Sequence, residues 1–244
     1  MKLLAALTLA LSLGTAAAYA DSVNVAVAAN FTAAAEKLAE AFKAETGDEL
    51  VLSFGASGAL YTQVTQGAPF DVFLSADDTH PKKAIDDGLG VAGTNFTYAV
   101  GSLVLYSTTL DVSVGEAALN LPFNKLAIGN PESAPYGIAA VEALKTLGKY
   151  DAILPKLVIG ENISQTLQFV DSGNAELGFV AASQVIGKGS QWLVPTEDHE
   201  PILQDAVLLK TGAAKPAAAK FLEYLKSDAA VAIITSAGYT VPAK

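Results

Sequence analysis

From residue 23 the chain alternates short β-branched runs with longer stretches whose apolar positions recur three and four residues apart. The run 23–27 (Val-Asn-Val-Ala-Val) predicts a strand, Ala28-Ala29-Asn30 a short loop, and 31–45 a helix with Ala34, Leu38, Ala41 and Phe42 on its apolar face and Gly47 as its stop. The same grammar follows at once: a strand over 50–54, a tight Gly55-Ala56-Ser57-Gly58 loop and a helix over 59–66. A third strand is expected over 72–74, before a helix that opens around Pro81 and closes ahead of Gly88. Strand–loop–helix alternation of this kind implies parallel strands with right-handed crossovers.

The pattern returns after an irregular stretch over 111–123. Strands are expected over 126–128, 157–159 and 178–180, with a helix over 135–147 and another after Glu161-Asn162-Ile163-Ser164 that runs to about Val170. Two further apolar runs, 102–106 and 206–210, are far apart in sequence and are expected to pass between two lobes. The expected division is then a discontinuous first lobe, 21–100 with 211–244, around a second lobe, 101–210. Helices over 216–225 and 228–235 would return to the first lobe.

The twenty residues ahead of this pattern differ from it. Lys2, an apolar run over 3–13 and the small-x-small ending Ala18-Tyr19-Ala20 form the pattern of a cleaved secretory signal peptide, Met1 to Ala20. The apolar run is too short for a membrane span of about 20 residues. An exported protein with no lipobox cysteine is expected in a Gram-negative periplasm.

Composition narrows the chemistry. The chain of 244 residues carries 25 acidic and 15 basic side chains, net −10, all of the basic ones lysine, and it has no cysteine. Thiol nucleophiles, disulfides and zinc–cysteine sites are excluded. So is the bidentate guanidinium fork, and an acidic surface argues against a nucleic-acid partner.

In parallel sheets ligands bind beyond the carboxyl ends of the strands, where helix N-termini present unpaired amides and about half a positive charge. Four loops fit: Ala28-Ala29-Asn30, Gly55-Ala56-Ser57-Gly58, Ala134-Pro135-Tyr136-Gly137 and Asn162-Ile163-Ser164. None holds a lysine, a composition suited to an oxyanion cradle of amides and hydroxyls. Taken singly, Asn30 and Ser57 also read as N-caps, and Tyr136 as a packing ring. A serine-hydrolase elbow at Ser57 is the enzymatic alternative, although Ala59 stands where that motif has glycine. The two histidines, His80 and His199, read as solvated surface residues without metal-ligand spacing. Asp71, Asp77 and Asp78 read as strand-flanking or helix-capping groups.

These loops also carry a family resemblance. The segments over 25–31, 54–57, 67–77 (Gly-Ala-Pro-Phe-Asp-Val-Phe-Leu-Ser-Ala-Asp), 129–137 and 161–163 resemble the periplasmic molybdate-binding proteins of ABC transporters. The likeness implies the type II periplasmic binding protein fold, two α/β lobes flanking a ligand cleft. It implies a non-enzymatic receptor, expected as a monomer and without a cofactor, that takes molybdate or tungstate and hands it to a membrane permease. Residue by residue, it implies ligand contacts from Asn30, Ser57 and the amides of Tyr136 and Ile163. A tyrosine that some members add falls on Ala181, which has no donor. Either Asn30 and Tyr136 supply that hydrogen bond, or the cargo is a somewhat different oxyanion. A receptor for a sulfate-like anion or a small carboxylate is the alternative of the same fold.

Overall fold

The computed structural model describes residues 21–242, so the signal peptide expected over Met1–Ala20 lies outside the described residues. The β-branched runs form ten strands in two five-stranded sheets. The first sheet holds β1 (Ser22–Ala28), β2 (Glu49–Gly55), β3 (Val72–Leu74), β4 (Phe96–Gly101) and β10 (Ile202–Leu208), in the order β2-β1-β3-β10-β4. The second holds β5 (Leu103–Ser107), β6 (Leu126–Gly129), β7 (Leu157–Gly160), β8 (Leu177–Ala181) and β9 (Ser190–Leu193), in the order β7-β6-β8-β5-β9. The two orders are the same design used twice.

In each sheet the three strands that precede helices are parallel: β2, β1 and β3 in one, and β7, β6 and β8 in the other. The remaining two are antiparallel additions. The strand–loop–helix units are thus parallel as expected, and the antiparallel pairs make the sheets as a whole mixed. Strand β4 escapes the hydrophobic reading because polar and small residues interrupt its run, and β9 because it is short and half exposed.

The passage between sheets is corrected in part. The first run begins at the crossing itself, with Leu103–Tyr106 in the second sheet, whereas 206–208 lies wholly within the first and does not cross. The chain changes sheet at Ser102, between β4 and β5, and again over 194–201, between β9 and β10. Because β10 pairs with β3 and β4, its residues belong with the first sheet, ahead of the expected boundary at 210.

Helices cover both faces of each sheet. Against the first pack α1 (Thr32–Thr46), α7 (Pro216–Tyr224) and α8 (Asp228–Ser236) on one side, burying Val23, Val25, Leu38, Phe42 and Phe221. On the other side lie α2 (Ser57–Thr65) and α3 (Thr79–Asp86), around Leu60, Val64 and Phe73. The second sheet is covered by α4 (Pro135–Thr146) with the short α5 (Tyr150–Ile153), and on its other face by α6 (Ile163–Asp171). Burial on both faces explains why the strands read as continuous apolar runs.

The lobes touch. Gly58 N–H donates to the Ser133 carbonyl at 2.9 Å, and Ser164 Oγ donates to the Ala29 carbonyl at 3.1 Å. A Cβ on Gly58 would lie 3.0 Å from Ser133 Cα, so this approach depends on glycine.

Candidate functional site

Strands β1 and β2 end beside each other in one sheet, as β6 and β7 do in the other, and each is followed by a helix start. All four starts converge on one small pocket between the lobes. Its wall includes Ala28, Ala29, Asn30, Gly55, Ala56, Ser57 and Ala76 from the first lobe and Ala134, Pro135, Tyr136 and Ile163 from the second. The four residues singled out in the sequence, Asn30, Ser57, Tyr136 and Ile163, thus line the same space. Each is at most 5% exposed.

The decisive detail is what caps these helices. Asn30 and Ser57 are not caps: Asn30 lies inside a 3-10 turn (Ala29–Phe31) that leads into α1, and Ser57 is already the first residue of α2. The cap positions belong to Ala28, Ala56 and Ala134, and no side chain accepts from the helix start in any of the three. Alanine is a poor N-cap, costing about 0.5–2 kcal/mol against Ser, Thr, Asp or Asn. Buried amides without partners cost more again. The Gly58 N–H is taken by the Ser133 carbonyl and the Gly137 N–H by the Ala134 carbonyl, so at α2 and α4 it is the N–H groups of Ser57 and Tyr136 that stand beside the cavity without a side-chain cap.

The fourth start differs. Asn162 caps α6, its side-chain oxygen accepting from Ser164 and Gln165 N–H at 3.0 Å each, which leaves the N–H of Ile163 outside the cap and beside the cavity. Ser57 Oγ accepts from Ala76 N–H at 2.9 Å. That bond fixes the hydroxyl and leaves its proton to be donated. No lysine is part of the wall, so the positive field at the site is that of the helix dipoles.

The side-chain donors expected at Asn30 and Tyr136 meet Gln204. The Tyr136 hydroxyl turns to the side-chain amide of Gln204, which donates to it at 3.4 Å. Asn30 Nδ2 donates to Gln204 Oε1 at 2.9 Å and to the Tyr239 hydroxyl at 3.0 Å. Both protons of Asn30 Nδ2 are thus engaged, whereas the Tyr136 hydroxyl accepts and keeps its own proton; Ala181 is fully buried at the end of β8 and forms no part of the cavity wall. Burial holds the Tyr98 and Tyr136 hydroxyls well above the ordinary tyrosine range and pushes Tyr239 up to about 12, so all three stay protonated at neutral pH.

The remaining candidates lie apart. His199 is buried rather than solvated, because its Nδ1 meets the Glu200 carbonyl at 2.7 Å within the connection to β10. His80 pairs with Asp77 at 2.7 Å, and Asp77 Oδ1 also accepts from His80 N–H at the start of α3. Asp71 accepts from Asn24 N–H and pairs with Lys215 at 2.7 Å. Among the described residues no group of His, Cys, Asp and Glu is placed to hold a metal ion.

Ala76, Gln204 and Tyr239 were missed as contributors. Ala76 lies in the 67–77 segment already noted, whereas Gln204 and Tyr239 carry no local signal, reaching Asn30 from 174 and 209 positions away.

Two lobes of one design, with a small pocket of converging helix starts between them, have the geometry of a receptor for a small anion. Residues 23–240 match the family described as bacterial extracellular solute-binding protein, and the chain belongs to that family. It is 51% identical to the molybdate-binding protein ModA of Rhodobacter capsulatus over 96% of this chain and 94% of that one. It is 50% identical to the molybdate-binding protein ModA of Azotobacter vinelandii, over 91% of each. The solved periplasmic molybdate-binding protein of Azotobacter vinelandii superposes with a TM-score of 0.86 at 39% identity, covering 91% of this chain and all of that one. The sulfate-binding protein SubI of Mycobacterium tuberculosis, at 14% identity and TM-score 0.74, shares the fold.

Proposed function

We propose that the protein is the periplasmic receptor of a molybdate-transporting ABC system: it captures molybdate or tungstate between its lobes and delivers it to the membrane permease. The observation that carries this reading is the set of buried helix starts with alanine caps around one small cavity. In it the cargo's oxygens accept from Ser57 Oγ and from the amides of Ser57, Tyr136 and Ile163, with Asn30 closing the first-lobe side. Hydrogen bonds to a charged acceptor contribute about 1.5–3 kcal/mol each, so a handful outweigh the desolvation of a small dianion. A cradle of donors favours a fully ionised anion over one that keeps a proton. The identities of the relatives over nearly the whole chain support this cargo.

Titration calorimetry with molybdate, tungstate, sulfate and phosphate tests the proposal. Tight binding of the first two and none of the others is expected. No heat from any of the four would overturn it.

A further inference from the structure

Gln204 is fully buried on β10, just ahead of the bulge between Gln204 and Asp205, and it is not part of the cavity wall. Its Oε1 accepts from Asn30 Nδ2 at 2.9 Å and from the Tyr98 hydroxyl at 3.2 Å, while its Nε2 donates to the Tyr136 hydroxyl at 3.4 Å. One side chain on a strand beside the interlobe connection thus joins a cavity residue of the first lobe to a cavity residue of the second. The circuit closes on the other side of Asn30. The Tyr239 hydroxyl accepts from Asn30 Nδ2, donates to the Asn30 carbonyl at 2.7 Å, and accepts from Ser183 Oγ of the second lobe at 2.8 Å. Room for it comes from Gly101 at the end of β4, where a Cβ would collide with the Tyr136 hydroxyl and come 2.8 Å from Gln204 Nε2.

We propose that Gln204 is a positioning residue for the cargo site. It touches no ligand, and it holds the Asn30 turn and the start of α4 in the relative placement that lets both halves reach the same ion. A buried amide stabilises only when its groups are paired, and these partners sit on opposite lobes. Moving the lobes apart therefore breaks the pairing, and the pairing in turn favours the closed arrangement. The inference rests on reading the cavity as the oxyanion site.

Calorimetry with molybdate on Gln204→Met, Tyr136→Phe, the double variant and Ser57→Ala, with ligand-free melting temperatures by circular dichroism, tests it. Methionine keeps the length of the side chain and removes every hydrogen bond. Gln204→Met is expected to weaken molybdate binding about tenfold, the equivalent of one hydrogen bond. The double variant should be no weaker than Gln204→Met alone, because both changes cut the same link. Unchanged affinity with a lowered melting temperature would show a packing role only and overturn the inference, as would independent, multiplying losses in the double variant. Should Gln204→Met not fold, Tyr136→Phe alone decides: weakened binding supports the link and unchanged binding overturns it. If Ser57→Ala weakens binding and Gln204→Met does not, the positioning role alone fails; if Ser57→Ala also has no effect, the cavity assignment itself falls.

Discussion

Helices α8 and α2 are both nine residues long and begin in opposite ways. The first has Ser227 at its cap, whose Oγ accepts from Ala230 N–H at 3.2 Å. The second has Ala56 there, whose side chain offers no acceptor, although its surroundings are buried and water cannot easily serve. Helix α7 also lacks a side-chain cap, but it opens at the exposed Pro216, where solvent satisfies the amides. Several other helix starts lack a side-chain cap as well, but those around the cavity combine that lack with burial between two lobes, which is what suits them to an anion. On the proposed reading the backbone donors there are left for cargo, and the stability forgone, about 1 kcal/mol per cap, is recovered when an anion binds the folded state alone.

Giving α2 the cap it lacks is the change with the largest expected effect. Ala56→Asp places a carboxylate at the start of α2, where it competes for the helix-start amides and repels a dianion. Molybdate affinity should fall more than about a hundredfold, near 3 kcal/mol. The ligand-free protein should gain about 1 kcal/mol against urea; retained affinity would refute the comparison. Ser57→Ala comes next, with an expected loss of about 1–3 kcal/mol of binding in calorimetry, since one donor to a charged acceptor disappears. Removing a true cap should do the reverse. Asn162→Ala and Ser227→Ala should each lower unfolding stability by about 1 kcal/mol, with Ser227→Ala leaving molybdate affinity unchanged. The smallest effect is that of pH: because burial raises the pKa of Tyr98, Tyr136 and Tyr239, their protonated forms persist until the pH rises through the folded-state values, about 12 for Tyr239. Affinity measured between pH 7 and 9 should therefore stay flat, and a decline would show that a network hydroxyl ionises in this range.

Much of this was legible in the sequence, for physical reasons that differ by element. Strands buried on both faces, such as β1 and β6, read as apolar runs, and the loops behind them revealed themselves by small residues and a proline at a helix start. Strand β10 was harder: Gln204 and Asp205 break its apolar run, so only the tail from Ala206 was visible, and the crossing was sought too late in the chain. The four cavity residues were found because each follows a strand locally. Their caps were misread, because Asn30 and Ser57 look like caps one at a time, and only the backbone geometry shows alanine in those places. The network behind the cavity was invisible, since pairs as distant as Asn30 and Tyr239 meet only through the tertiary fold.

Backbone amide resonances test the central claim most directly. In a ¹H–¹⁵N spectrum, adding molybdate should move the Ser57, Tyr136 and Ile163 amides strongly downfield as each gains a charged acceptor, while those of Ser164, Gln165 and Ala230, already satisfied by side-chain caps, shift far less. Stationary Ser57, Tyr136 and Ile163 amides in a protein that binds molybdate would contradict the account.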